Sequence, residues 1–315
     1  MSNVTTQGTV AASTAATAPK GKLKASAHAD ANPAKAGWFT KIFLGILVVL
    51  WTVPTLGTLV TSFRTLDDAN TSGWWEVFYK PELWSRLTVQ NYVDAWNGGG
   101  ASTANMGESF INSFAIALPS TFIPILIAAF AAYAFTFMEF KGRETLFIVI
   151  VSLLVVPNFV AFIPLQQIYN NLQLVSFPKV WLAHVGFGMS LAIFILRNYM
   201  QTLPKSVIES AKIDGASHYK IFYQLILPMS VPALAAFAIF QFLWVWNDLM
   251  VALVFLGPGD DEPVTVALTG LRNQLGQGWN LTTAGGILSM LVPMAVFLLL
   301  QRYFVRGLTA GAVKG

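Results

Sequence analysis

Five side chains suited to binding a small polar ligand interrupt the apolar runs in the second half of this sequence. They are Asn158, Gln241, Trp246, Asn247 and Asp248. Amides and carboxylates exchange hydrogen bonds with hydroxyl groups, and an indole packs on apolar CH faces, so the set suits a sugar. In a membrane helix an Asp costs about 2.5–3.5 kcal/mol, so polar groups there usually face a cavity or a partner. We therefore expect these residues either to line a substrate pathway or to bond neighbouring helices.

A second constellation is polar and lies between Pro204 and Pro228. Pro204 suits the first turn of a helix, Pro228 suits a helix end, and Gly215 interrupts the middle. The sequence therefore predicts two short helices that meet at a glycine turn. The segment is too polar to span a membrane and too regular in pattern to be a linker. Two interpretations stay open, namely a helix offered to a groove on another protein, or an amphipathic helix resting on lipid.

Enzymatic chemistry finds little support in the sequence. There is no cysteine, which excludes disulfides, thiolate metal sites and cysteine nucleophiles. The histidines His28, His184 and His218 are too dispersed for metal-ligand spacing, and His184 is expected to pack between helices or at the interface. The segment 257–260 matches the Gly-x-Gly-Asp pattern of intramembrane aspartyl proteases, but no second Asp pairs convincingly with it. The sequence therefore predicts no catalytic residue, no metal and no cofactor.

These residues must be positioned by membrane helices, because the composition leaves little alternative. Of 315 residues, 55% are hydrophobic and 11% are charged, against about 25% charged in an ordinary soluble domain. Six apolar runs are long enough to cross a bilayer. Their predicted limits are 42–63, 109–135, 146–166, 180–199, 232–256 and 284–304. The predicted fold class is an all-α polytopic membrane domain over 42–315, after a tail at 1–41 that we expect to be disordered.

Lys and Arg are distributed unevenly between the two sides of these spans. Fourteen of the 19 lie in the tail, the second–third and fourth–fifth connections and the C-terminus, and five lie in the other connections. Because basic loops stay in the cytoplasm, both termini and the 204–228 loop are predicted to be cytoplasmic. On the outside, the aromatic segment 64–108 fits either an interfacial aromatic belt or a docking surface for an extracytoplasmic partner. The other outside segment, 257–283, is acidic.

The polar loop also carries a motif. Glu209-Ser210-Ala211 is followed by Gly215 after three residues, and Leu227-Pro228 lies twelve positions beyond that glycine. The arrangement resembles the Glu-Ala-Ala loop of ATP-binding-cassette (ABC) importer permeases, with serine and leucine as mild departures at positions 210 and 225. Similarity continues along most of 42–315 and points to the MalG-type permeases of maltose-type carbohydrate systems. It is carried by Asn91-Tyr92, Asn112-Ser113, Trp246-Asn247-Asp248 and the ending GLTAGAVKG.

The resemblance implies a type I permease fold, a coupling role and a set of partners. The loop would dock in a cleft of a cytosolic ABC ATPase dimer. Its coupling residues would be Glu209, Ser210, Ala211, Asp214, Gly215, Leu227 and Pro228. A MalF-type permease subunit, an extracytoplasmic solute-binding protein, a sugar and the bacterial cytoplasmic membrane would complete the system, without nucleic acid. ATP would be bound by the partner, since this chain contains no G-x-x-x-x-G-K-[ST] phosphate loop.

The alternative is a secondary sugar or solute transporter that works alone. Such carriers often show internal repeats, and none is obvious here. The sugar itself stays open, with an α-glucoside or related oligosaccharide favoured by the resemblance. The C-terminal segment 307–315 is expected either to reach toward the ATPase interface or to fray.

Overall fold

The computed structural model describes residues 37–99, 104–271 and 278–309, with side chains up to residue 301. Across those ranges the regular elements are helices, and no strand occurs. In chain order the α-helices are α1 (Trp38–Thr61), α2 (Leu66–Thr71), α3 (Pro81–Trp84), α4 (Gln90–Asn97), α5 (Met106–Phe137), α6 (Arg143–Ser152), α7 (Phe159–Asn171), α8 (Phe177–Met200), α9 (Lys205–Ile213), α10 (His218–Ile221), α11 (Leu227–Met229), α12 (Val231–Trp246), α13 (Met250–Phe255), α14 (Val264–Gly270) and α15 (Trp279–Thr309).

Four helices in the described part of the chain are long and apolar enough to cross a bilayer, namely α1, α5, α8 and α15 over Trp279–Gln301. Two further pairs of helices pass the same criterion together but are sharply bent, so up to six spans result. The chain divides into two compact units at residues 51 and 52. In the first unit, residues 38–51 form the first part of α1 and expose nearly all of their side chains, which suits a lipid-facing helix.

Helices α5, α8 and α12 form the packed centre of the second unit. Several residues at their crossings are small and fully buried, which lets the backbones approach closely, as in other membrane bundles. They are Ala117, Ala128, Ala132, Gly188 and Ala192. Pro119 and Pro124 lie within α5, which is nevertheless a single helix of 32 residues. The second and fourth predicted spans, 109–135 and 180–199, fall within α5 and α8.

The third predicted span, 146–166, is not one helix, and this corrects the sequence prediction. Helix α6 ends in a 3-10 turn at Leu153–Val155, and α7 starts at Phe159 after a bend of 105°. Pro157 explains the break, because the residue before a proline is disfavoured in helical conformation, and Val156 is extended with φ −75° and ψ 121°. The chain therefore turns through more than a right angle within this predicted span.

The fifth predicted span, 232–256, also differs from the structure. Helix α12 ends at Trp246, and α13 begins at Met250 after three non-helical residues. At its other end α12 continues the segment His218–Met229 through a bend of 69° at Ser230. Pro228 and Pro232 flank this bend and lack the N–H groups that would continue the helical ladder. The polar loop is therefore joined to α12 without any linker.

The segment between α1 and α5 is folded around one buried amide. The Asn91 side-chain nitrogen donates to the carbonyls of Ser62 and Arg64, both at 2.8 Å. Its oxygen accepts from the side-chain nitrogen of Asn280 at 2.8 Å. Because Asn280 is the second residue of α15, the amide pair fixes α4 to the start of the last helix.

Candidate functional site

The 204–228 loop contains the two predicted short helices, α9 and α10, with Gly215 between them. Gly215 has φ +75°, the left-handed conformation that favours glycine. The N–H of Ala216 donates to the carbonyl of Ala211 at 2.9 Å, and that of Gly215 donates to Lys212 at 3.0 Å. These two bonds form a Schellman motif, which ends α9 and reverses the chain into α10. Ser217 then caps α10 by accepting from the N–H of Lys220.

One face of the loop is held firmly against the helix bundle. Ile208, Ile221 and Phe222 are each less than 5% exposed and belong to the same apolar cluster as the last turns of α5 and α8. A hydrogen bond of 2.9 Å joins the Tyr133 hydroxyl on α5 to Nδ1 of His218 on α10. A displacement of this loop would therefore be transmitted to α5 and α8 rather than absorbed.

The predicted coupling residues lie mostly at the surface of this fixed loop. Those exposed are Glu209, Ser210, Asp214, Gly215 and Pro228, and those half-buried are Ala211 and Leu227. Two large side chains that the sequence analysis missed accompany them, Ile213 at 86% exposed and Tyr219 at 69%. The signal was present in the sequence, because both residues fall off the buried stripe of their short helices.

A cavity of about 410 Å³ lies in the second unit beside the break at Pro157. Its polar lining includes Asn158 and Ser190, and its aromatic lining includes Phe240 and Trp244. An amide, a hydroxyl and two aromatic rings around such a space suit a ligand with both hydroxyl groups and apolar CH faces. Asn158 was predicted as a pathway residue, whereas Trp244 was not among the predicted site residues.

Gln241 and Trp246, both predicted for the pathway, do not line this cavity. Gln241 is fully buried, and its nitrogen donates to the carbonyl of Ser120 on α5 at 3.2 Å. Trp246 is 2% exposed, and its indole N–H donates to the carbonyl of Ser289 at 3.3 Å. Both residues hold helices together, which was the other interpretation of their types. The Gln241 amide nitrogen and the Trp246 indole nitrogen are therefore used in bonds between helices.

Asn247 and Asp248 stabilise the backbone where α12 ends. The Asn247 side chain donates to the carbonyl of Leu243 one turn earlier, at 2.7 Å. Asp248 lies two residues before α13 and accepts from the N–H of Val251 at 2.8 Å, and it lies 3.8 Å from Nε2 of the buried His184. Neither lines the cavity at Pro157. In the described part of the chain no group of three metal-binding side chains comes together.

Known proteins are similar in sequence to this chain over most of its length. Residues 124–310 match the family described as binding-protein-dependent transport system inner membrane component. The chain is 52% identical over 277 residues to the osmoprotective compounds uptake permease protein GgtD of Synechocystis sp., covering 87% of this chain and 91% of that protein. It is 49% identical over 263 residues to the alpha-glucoside transport system permease protein AglG of Rhizobium meliloti, covering 81% of this chain and 68% of that protein.

A solved structure supports the same fold. It is a bacterial ABC transporter involved in the import of the acidic polysaccharide alginate, with a TM-score of 0.69 at 19% identity, covering 84% of this chain and 95% of that one. The predicted fold class, an all-α polytopic type I permease, is confirmed. The chain therefore belongs to the binding-protein-dependent transport system inner membrane components and is the permease subunit of an ABC importer.

Proposed function

We propose that this chain is one of two unlike permease subunits of a bacterial sugar importer, and that its 204–228 loop transmits motion from a separate ATPase. The observation that carries the proposal is the two-sided character of the loop. Ile208 and Phe222 fix it to the bundle, while Ile213 is 86% exposed on the opposite side. A large apolar side chain in that position suits burial in the cleft of a partner protein.

The loop's attachment supports a lever mechanism. When two ATPase subunits close on ATP, α9 and α10 would move with them. The two helices would move together because the Schellman turn at Gly215 connects them directly. The displacement would reach α5 and α8 through the buried cluster and the bond between Tyr133 and His218. Helix α8 also borders the cavity through Gly188 and Ser190. Movement of α8 would open that cavity alternately to the two sides of the membrane.

The proposed substrate is a sugar, with an α-glucoside or other oligosaccharide as the favoured class. The support is twofold: a relative at 49% identity is named for alpha-glucoside transport, and Asn158 and Trp244 line a cavity of suitable chemistry. Asn247 and Asp248 would act indirectly, by shaping the end of α12.

The remaining partners follow from the family and the exposed surfaces. An extracytoplasmic binding protein would deliver the sugar, and a MalF-type permease would cover part of the apolar surface of α5, where Phe122 and Leu126 are each 58% exposed. A cytosolic ATPase dimer would bind and hydrolyse ATP, so this subunit would hold no cofactor and catalyse no reaction. Both termini would lie in the cytoplasm of the bacterium.

The coupling proposal is tested by Glu209→Lys, with Glu139→Lys as the matched control. Both carboxylates are exposed, but residue 139 follows α5 and lies outside the loop. We expect Glu209→Lys to lower ATP-driven sugar uptake at least about tenfold with normal membrane insertion, since losing an essential contact of about 1.4 kcal/mol has that effect. Glu139→Lys should transport normally. Wild-type uptake by Glu209→Lys would contradict the coupling role.

An experiment without the ATPase distinguishes this proposal from the secondary-transporter alternative. Vesicles that contain this chain and its partner permease without the ATPase should show no sugar accumulation under an ion gradient. Accumulation in those vesicles would favour the alternative.

A further inference from the structure

A second space, of about 430 Å³, lies where α9 passes the ends of α5, α6 and α8. We call it the basic groove. Its charged lining comes from three helices, with Arg143 and Glu144 from α6, Arg197 from α8, and a row on α9. That row is Lys205, Glu209 and Lys212. The same face of α9 therefore carries a predicted coupling residue and two lysines.

The charges in the basic groove do not balance. Glu144 is shared by both arginines, at 2.9 Å from Nη2 of Arg197 and 3.1 Å from Nε of Arg143. Glu209 is then the remaining carboxylate of the lining that could balance Lys205 and Lys212. In the described part of the chain, neither lysine forms an ion pair. Four cations against two carboxylates leave an excess of two positive charges.

Arg197 is a fixed donor within the basic groove. Its side chain is 11% exposed, and its guanidinium carbon lies 3.9 Å from the ring centroid of Phe147. Its buried Nε has no hydrogen-bond partner among the described residues. A guanidinium held in this way is pre-organised for a phosphate, whose oxygens match its planar donors.

The surface beside the basic groove is apolar and exposed. Helix α6 begins at Arg143 and then presents Leu146, Ile148 and Val149, which are 48%, 65% and 52% exposed. In a membrane these side chains face acyl chains. A phospholipid has an anionic headgroup and apolar acyl chains, so it would contact both the basic groove and this apolar surface. Free phosphate would contact only the basic groove.

We propose that the basic groove binds the phosphate headgroup of an anionic phospholipid, with its acyl chains along α6. Basic pockets between membrane helices are suited to such headgroups. A lipid bound there would touch α9 on the face opposite Ser210 and Asp214, and so would bias the position of the coupling loop. The inference needs only membrane embedding and is independent of the sugar and of the ATPase partner.

The test compares two doubly substituted full-length chains. Lys205→Gln/Lys212→Gln removes both lysines of the basic groove, and Lys141→Gln/Lys220→Gln removes two exposed lysines that do not line it. Each protein is purified in detergent, stripped of lipid and titrated with phosphatidylglycerol or phosphatidylcholine, and bound lipid is counted by native mass spectrometry. Thermal melting of both variants checks folding.

We expect the groove variant to lose affinity for phosphatidylglycerol about tenfold or more, because each of the two lysines removed contributes one contact to the headgroup. The affinity of the control should stay within about twofold of the parent. Phosphatidylcholine should bind weakly to all forms. Equal losses in the two variants would show that bulk charge attracts the lipid, and would overturn the site. Displacement of phosphatidylglycerol by an equal concentration of inorganic phosphate would also overturn the proposal, since the site would then bind phosphate without acyl chains.

Discussion

At the residue scale, Gly215 is required by its backbone conformation and not by space. A Cβ built on it would meet no atom within 4 Å, yet its φ is +75°. Left-handed backbone costs most L residues about 1–2 kcal/mol, and Asn much less. We therefore expect Gly215→Val to speed hydrogen exchange of the Ala216 amide by about 5–30-fold, and Gly215→Asn to change it little. Equal exchange in Val and Asn variants would mean that the Schellman turn is not the limiting element.

Gly188 is required for the opposite reason, which is space. A Cβ on it would lie 2.7 Å from both terminal atoms of the buried Gln241 side chain, whereas a Cβ on Gly186 would meet nothing within 4 Å. Both glycines belong to α8 and line the cavity at Pro157. Gly188→Ala should cost about 1–3 kcal/mol from overpacking, and Gly186→Ala should be neutral or slightly stabilising.

Thermal melting of the two glycine variants in detergent makes this comparison directly. A lower melting temperature for Gly188→Ala alone is the expected result. Equal melting temperatures would mean that Gln241 moves aside at no cost, and that the contact between α8 and α12 is looser than the structure has it.

The same residues show what site prediction from sequence cannot resolve. Polar types within apolar runs were recognised, but type alone does not distinguish a lining residue from a bond between helices. Gln241 and Asn158 are both amides; one is buried against α5 and α8, and the other borders a cavity. That difference depends on which face of each helix meets a neighbour, and on the sharp turn at Pro157, which is a tertiary property.

At the scale of elements, long apolar runs and glycine or proline signals predicted most helices well. The predicted span 180–199 lies within α8, and the two helices around Gly215 occur where the loop pattern placed them. The size of each bend was not predictable. Pro157 and Pro228 mark where a helix must break, but angles of 105° and 69° depend on the helices packed against each side.

The attachment of α10 to α5 gives a prediction at this scale. Tyr133→Phe removes the bond to His218 and should weaken docking of the loop by about 0.5–1.5 kcal/mol. Trypsin cleavage at the loop lysines should then become roughly 2–10-fold faster, provided that opening is fast relative to cleavage. Tyr219→Phe is the matched control, because the Tyr219 ring is 69% exposed and lies on α10 next to His218. Faster cleavage in both variants would assign the effect to loss of a tyrosine hydroxyl in general.

At the scale of the whole molecule, the distribution of charge and of apolar surface defines what the chain needs around it. Helices α5 and α15 leave large apolar side chains uncovered, among them Phe122 and Leu299 at 58% and 72% exposed. Lipid and a second membrane subunit are the surroundings that suit such surfaces. The network around Asn91, by contrast, lies within the chain and ties the segment between α1 and α5 to the start of α15.

The orientation of the chain is the prediction on which the coupling loop depends, and the absence of cysteine makes it testable without background. Glu82 lies in α3 on the predicted outer side, Glu139 follows α5 on the predicted inner side, and both are exposed. A membrane-impermeant maleimide should label Glu82→Cys in intact cells and Glu139→Cys only after permeabilisation, because the side with 14 of the 19 basic residues stays in the cytoplasm. The cysteine-free parent should give no signal. The reverse pattern would place α9 and α10 outside, beyond the reach of any cytosolic ATPase, and the lever mechanism would fail with it.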